Sequence, residues 1–199
     1  VAKKIPTQSI ASVRIIGGKW RSRPLTFSAT DGLRPTGSRI RETLFNWLAP
    51  YIEGARCLDL FAGSGALCFE ALSRGAKNCT ALENNKTAVS QLTNNKNLLD
   101  ADDLCIIATD AYHFLAKTTA QGLFDVVFLD PPFEQKSHAE IAQLLMSSTW
   151  LAPNALIYCE LPATETLRMP ENWQVLKDKT VGNVRFCLFV YVEQSDLIK

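Results

Sequence analysis

The sequence predicts an α/β protein built on a mostly parallel sheet that ends in an antiparallel hairpin, and three observations predict it. Apolar runs alternate with segments of helical periodicity from Arg56 to Leu161, the pattern of strands buried on both faces and joined by crossover helices. The first run passes into Leu58-Asp59-Leu60-Phe61-Ala62-Gly63-Ser64-Gly65 and then a helix-like stretch, the usual opening of a nucleotide-type cofactor site. The last two β runs, 173–180 and 184–192, are separated only by Val181-Gly182-Asn183. That link is too short for a crossover, so one of these strands must oppose the rest.

Taken in order, residues 1–12 show no periodicity and are expected to be disordered. From Val13 the chain reads Val-Arg-Ile-Ile, Gly17-Gly18, then Lys-Trp-Arg-Ser-Arg-Pro-Leu, which predicts a basic hairpin about a two-residue glycine turn with Pro24 on an edge strand. Beyond Asp31-Gly32, the segment 34–38 leads into Ile40, Leu44, Trp47 and Leu48, spaced on one helical face, with Ser38 as cap and an end near Pro50. Strands are then expected at 56–61, 78–83, 104–109, 124–130 and 155–161, and helices at 66–74, 86–98, 111–117 and 137–146. The chain divides into a basic N-terminal extension, 1–50, and a catalytic domain, 51–199.

With 199 residues and 47% hydrophobic content, there is material for one well-buried domain and a small appendage. No run approaches the roughly 20 apolar residues of a bilayer span, and the polar start around Lys3 and Lys4 lacks the apolar centre of a signal peptide, so a cytoplasmic protein is expected. Cys57, Cys68, Cys79, Cys105, Cys159 and Cys187 include no CxxC pair and read as free thiols of a reducing compartment. The two histidines, His113 and His138, lie far from any cysteine pair, so no metal site is expected. Nothing calls for an obligate dimer, and a monomer is expected. The net charge of +1 hides an asymmetry. Residues 1–50 carry nine basic side chains against Asp31 and Glu42, whereas the remainder carries 12 basic and 18 acidic. Arginines interleaved with Trp20, Phe27 and Pro35 favour a polyanion-binding arm over a merely solvated one.

Gly63 and Gly65 allow close backbone approach, and the following helix amides favour a negative group. Glu83, closing the next strand, can accept hydrogen bonds from both ribose hydroxyls. A pyrophosphate cofactor such as NAD fits less well, because Cys68 stands where a third glycine would be and Asp59, Asp110 and Asp130 fall at or near strand ends. These carboxylates repel phosphate and suit the ammonium and sulfonium of S-adenosylmethionine. Phe61 belongs to the same turn. Asp110 could accept from the adenine amino group, with the Ala111 amide on the ring, or simply cap the next helix.

Asp130-Pro131-Pro132-Phe133 closes the run 124–129 with a carboxylate, two stiff prolines and an aromatic face. Asp130 and the Pro131 carbonyl can accept the two N–H bonds of an exocyclic amino group and aim its lone pair at a methyl donor, while Phe133 stacks on the base. Read alone, the tetrapeptide is also a rigid strand-to-helix turn. A cytosine C5 mechanism is disfavoured because no cysteine nucleophile lies near Asp130.

Arg14-Ile15-Ile16-Gly17-Gly18-Lys19-Trp20-Arg21, Leu33-Arg34-Pro35-Thr36, Arg39-Ile40-Arg41-Glu42-Thr43-Leu44-Phe45-Asn46-Trp47-Leu48, the Phe61 to Gly65 turn and Asp130 to Phe133 resemble the RsmD family of bacterial 16S ribosomal RNA guanine-N2 methyltransferases. The resemblance covers about Arg14 to Val192. It implies the seven-stranded, Rossmann-like class I S-adenosylmethionine-dependent methyltransferase fold, and methylation of one guanine, position 966 in the usual numbering of that RNA, within the small (30S) ribosomal subunit or its assembly intermediate. Arg21, Arg23, Arg34, Arg39 and Arg41 are the candidates for phosphate contacts, although Arg39 or Arg41 could instead pair with an acid. Cys68 stands where a small residue is common, and only a packing effect is expected of it. The rivals are amino-methylation of adenine N6 in DNA or RNA or of a protein glutamine, and a non-catalytic RNA-binding assembly factor of the same fold. A DNA enzyme generally needs a larger base-reading region than about 50 residues supply.

Overall fold

The computed structural model describes residues 10–28, 36–117, 123–132, 138–147, 150–166 and 168–193. Nine strands and five helices occur among them: β1 (Ile10–Arg14), β2 (Pro24–Ser28), α1 (Ser38–Leu48), β3 (Arg56–Asp59), α2 (Ala66–Ser73), β4 (Asn78–Glu83), α3 (Lys86–Leu98), β5 (Leu104–Ala108), α4 (Ala111–Leu115), β6 (Phe124–Leu129), α5 (His138–Ser147), β7 (Leu151–Pro162), β8 (Trp173–Val181) and β9 (Val184–Tyr191). The main sheet has the order β5-β4-β3-β6-β7-β9-β8. Strands β3 to β7 pair in parallel, and β9 runs antiparallel to both of its neighbours. The expected α/β architecture with a terminal hairpin is therefore present, and β9 is the opposing strand.

Alternation along the strands divides the core in two. Cys57, Cys79, Ala81, Val126, Phe128 and Tyr158 face α1, α2 and the N-terminal segment. Leu58, Leu82, Val127, Leu129, Ile157 and Cys159 face α4 and α5. Every residue of α2 is buried, because the sheet covers one side and the β1–β2 hairpin covers the other. The apolar sequence Ala-Leu-Cys-Phe-Glu-Ala-Leu-Ser matches that environment.

The hairpin departs from expectation in three ways. Ile10, Ala11 and Ser12 are paired in β1 rather than disordered, while residues 1–9 lie outside the described residues. Gly17-Gly18 is not its turn: Arg14 pairs with Pro24, so residues 15–23 form a long loop. The glycines serve a close approach instead, since a Cβ at Gly18, whose φ is +76°, would meet the Ser73 carbonyl oxygen at 1.7 Å. Finally, Trp20 and Phe27 are buried, and Trp20 packs edge-on to Phe69. They are core residues, not surfaces for stacking bases. The edge strand β2 is closed by α3, where Asn95 accepts from the Thr26 amide and donates to its carbonyl, and Gln91 accepts from Ser28. Packing does not follow the division at residue 50, as Ile15, Trp20, Leu25, Leu44 and Phe45 share a core with β3 and β4.

Two smaller corrections concern boundaries. Gly37, not Ser38, occupies the cap of α1, without a side-chain bond. Strand β7 starts at Leu151, earlier than expected, because Leu151 still pairs with Phe124 across a register shift; Asn154, with φ +60°, lies in that stretch. Among the described residues no helix is long and apolar enough to cross a membrane.

One carboxylate fastens the N-terminal segment to α2. Glu70, fully buried, accepts from the amides of Ile16 (2.8 Å) and Gly17 (2.9 Å), from Arg74 Nε (2.7 Å) and from Arg41 Nη1 (3.4 Å). Removing one member of a buried pair strands the other charge. Glu70→Ala is expected to cost roughly 3–5 kcal/mol in urea unfolding, whereas Asp178→Ala, which breaks the half-exposed pair with Arg185, costs no more than about 1 kcal/mol. Equal losses would show that the Glu70 carboxylate does not fasten the segment.

Candidate active site

Strand order reverses at β3, whose neighbours β4 and β6 lead to opposite halves of the sheet. The crevice beyond the carboxyl ends of β3 and β6 is where ligands of open α/β sheets bind. The expected acids collect along this rim. Asp59 ends β3 and is 1% exposed. Its Oδ1 accepts from the Phe61 amide at 3.2 Å and its Oδ2 from the Cys68 thiol at 3.0 Å. Burial pushes the Asp59 carboxyl up to about 6, against these two donors, and repulsion from Glu83 adds to the rise. Cys68 therefore does more than pack.

Glu83 ends β4 half-buried, its carboxylate fixed by the amides of Gly63 (2.9 Å) and Asn85 (2.8 Å). Asp110 follows β5, exposed, and caps α4 by accepting from the His113 amide at 2.8 Å, with Ala111 buried behind it. Gly65 departs from the expected role of backbone approach to a ligand. It has φ +78°, and a Cβ there would strike Phe69 and Leu92, so its missing side chain serves packing beneath the turn. The amides of Phe61 and Gly63 likewise serve Asp59 and Glu83. The turn thus orients its own carboxylates.

On the far side of the crevice Asp130 follows β6, partly buried, with Pro131 buried and Pro132 exposed. Phe133 lies outside the described residues. Thr36 Oγ1 donates to Asp130 Oδ2 at 3.1 Å, and Arg41 Nε donates to the Thr36 carbonyl at 3.2 Å. Burial first, then Glu160 and Asp59, push the Asp130 carboxyl well above the usual carboxylate range, with the Thr36 hydroxyl opposing. Glu160 on β7, 6% exposed, accepts from the Tyr158 hydroxyl at 2.8 Å. Sequence reasoning missed Glu160, Tyr158 and the role of Thr36. Glu160 carried a usable signal, being the one charged residue in the apolar run 155–161.

The arginines separate. Arg21, Arg23 and Arg39 are exposed, although Arg23 also donates to the Leu98 carbonyl at the end of α3. Arg34 lies outside the described residues. Arg41 is 1% exposed and paired with Glu70, so it cannot reach a phosphate; the alternative of an internal ion pair is the one realised. Among the described residues no group of three or more His, Cys, Asp or Glu could hold a metal ion.

Comparison with known proteins agrees with this geometry. A family model described as Conserved hypothetical protein 95 matches residues 13–190. The chain is 49% identical over 190 residues to Ribosomal RNA small subunit methyltransferase D of Haemophilus influenzae, covering 94% of this chain and 98% of that protein. The chain belongs to the RsmD family. It is 43% identical to the protein of the same name from Escherichia coli, over 98% of each. The solved structure of yhhF from Escherichia coli superposes with a TM-score of 0.84 at 42% identity, covering 92% of this chain and all of that one.

The rim of this RsmD chain fits S-adenosylmethionine by the chemistry of its donors. Asp59 and Glu83 end adjacent strands and Asp110 follows the next, acceptors suited to a cation, hydroxyls and an amino group, and among the described residues Asp59 has no ion-pair partner. A buried carboxyl raised to about 6 penalises the protein without its ligand: the penalty grows as pH rises from the unfolded value near 4 and is complete above about 6. Asp59→Asn should therefore stabilise the cofactor-free protein by roughly 2–3 kcal/mol at about pH 8 and by much less at about pH 4, while weakening S-adenosylmethionine binding. Melting temperature against pH and calorimetric titration check both halves.

Proposed function

We propose that this chain transfers a methyl group from S-adenosylmethionine to the exocyclic N2 of one guanine, position 966, of 16S ribosomal RNA, acting as a monomer on the 30S subunit or its assembly intermediate. The observation that carries the reading is the position of Asp130, held by Thr36 at the carboxyl end of β6, two residues beyond Phe128, which pairs with Asp59 on the adjacent β3. A donor-binding rim and an amino-accepting loop thus adjoin.

When bound, S-adenosylmethionine supplies an electrophilic methyl on a cationic sulfur. The protein's part is holding and aiming. Asp59 and Glu83 take the cofactor's cationic and ribose groups, and Asp110 with the Ala111 amide takes its adenine. Guanine N2 is a weak nucleophile because its lone pair is delocalised into the ring. With its N–H bonds directed to the Asp130 carboxylate and the Pro131 carbonyl, that lone pair faces the donor, and orientation supplies most of the acceleration. The stiff Pro131-Pro132 pair limits the entropy lost on binding, and Phe133 stacks on the base. Extrusion of a stacked target costs a few kcal/mol, offset by phosphate contacts from Arg21, Arg23, Arg34 and Arg39.

Labelled S-adenosylmethionine incubated with small subunits lacking the modification, followed by nucleoside digestion, should yield N2-methylguanosine. A labelled adenosine or protein product would refute the reading. Asp130→Ala is expected to abolish transfer with cofactor affinity nearly unchanged. Neutralising Arg21 and Arg23 together should weaken RNA binding and flatten its salt dependence by up to about two counterions; an unaltered slope removes the hairpin loop from the RNA interface.

A further inference from the structure

The acceptor side of the crevice contains a second acid beside Asp130. Strands β6 and β7 are parallel with Leu129 opposite Cys159, so Asp130 and Glu160 are the next pair and project to the same side. Glu160 is the more strongly hydrogen-bonded of the two. Tyr158 donates to its Oε2 at 2.8 Å; burial raises the Glu160 carboxyl, and the hydroxyls of Tyr158 and Thr36 oppose that rise. The groups facing the pair are Asp59 from β3, Tyr158 on β7 itself, Thr36 ahead of α1 and His138 of α5, whose Nε2 lies 2.8 Å from the Glu160 carbonyl. Since a carbonyl only accepts, that nitrogen carries the proton. Burial holds His138 below its usual range, toward the uncharged form. Arg41, which donates to the Thr36 carbonyl, has its charge committed to Glu70. Among the described residues neither Asp130 nor Glu160 has an ion-pair partner.

We infer that Glu160, hydrogen-bonded by Tyr158 and set beside Asp130 on the neighbouring strand, is a positioning residue for the reaction: it acts through Asp130, which removes the proton freed on methylation. The inference rests on the reading of Asp130 as the group that meets the acceptor nitrogen. In the step, the N2 lone pair forms the new N–C bond while the C–S bond breaks with its electron pair going to sulfur. The nitrogen then carries one hydrogen and one positive charge too many. Asp130 takes that proton and releases it to water as product leaves. An isolated surface aspartate near 4 is a poor acceptor at neutral pH, and a second buried carboxylate alongside is a general means of raising it.

The test is the pH dependence of the single-turnover rate on unmethylated small subunits at saturating S-adenosylmethionine. The rate of the wild type should fall on the acid side as Asp130 becomes protonated before reaction. In Glu160→Gln, which can still accept from Tyr158, the like charge is gone and the acid limb should move down by roughly one pH unit or more, with KM for S-adenosylmethionine unchanged. Tyr158→Phe, which makes Glu160 easier to protonate, should shift the limb the same way and serves if the first variant folds poorly. A limb that stays in place while the rate drops equally at every pH would overturn the inference and leave Glu160 a packing residue. Asp130→Asn separates the two levels: full activity in that variant sinks the reading of Asp130 itself, whereas an inactive Asp130→Asn beside an unmoved limb in Glu160→Gln sinks only the role of Glu160.

Discussion

The buried contact between Glu70 and Arg41 is the constraint on which the rest of the site depends. Glu70 gathers two backbone amides from the hairpin loop, one guanidinium from the end of its own helix and one from α1. Arg41, pinned by that carboxylate, donates onward to the carbonyls of Arg14 and Thr36, and the Thr36 hydroxyl reaches Asp130. Four segments distant in sequence are therefore set relative to one another by one charged pair and its hydrogen bonds. An ion pair taken out of water contributes little net stability compared with an apolar substitute. Its value is geometric, since guanidinium and carboxylate accept only a few arrangements and so fix where Thr36, and through it the acceptor loop, must lie.

The opposite economy governs the rim. Among the described residues Asp59 is buried with a thiol and one amide for donors, and Asp130 and Glu160 add two more poorly solvated acids within reach of one another. A sequence selected for stability alone would not place three carboxyl groups around one crevice. The arrangement makes sense if a cation completes it. The fold tolerates the cost because the surrounding layers, with Leu58, Ala81, Leu82, Val126, Val127 and Phe128 buried on the two faces of the sheet, are packed well enough to carry it.

The central sheet was legible because β3 to β7 are apolar runs closed by polar groups, and because Gly63, Gly65 and Gly182 punctuate it. Asp59, Glu83, Asp110 and Asp130 were legible for the same reason: a carboxylate where an apolar run stops stands out against its neighbours. The N-terminal fifty residues were harder. Gly17-Gly18 carries the composition of a tight turn, yet its purpose is contact with the Ser73 carbonyl, a partner far along the chain. Arg41 lies on the helical face of Leu44, Phe45 and Leu48 whereas Arg39 lies over Glu42 and Thr43, a difference in the sequence that signals burial of Arg41 but does not name Glu70 as its partner. Local pattern reports the chain's own periodicity. It does not report which distant group a side chain will meet.

That distinction changes what the N-terminal charge can do. Helix α2 begins at the rim and runs back for eight residues, about 12 Å, before its last residue, Ser73, meets the hairpin loop. Arg21 and Arg23 therefore sit at the far end of α2 and α3, while Arg39 stands one helical turn beyond Thr36, near the acceptor loop. Arg41 is withdrawn from the surface altogether. The basic side chains counted in the sequence are thus not gathered in one patch: Arg21 and Arg23 are exposed at one end of α2 and α3, Arg39 is exposed at the start of α1, and Arg41 is spent on an internal ion pair.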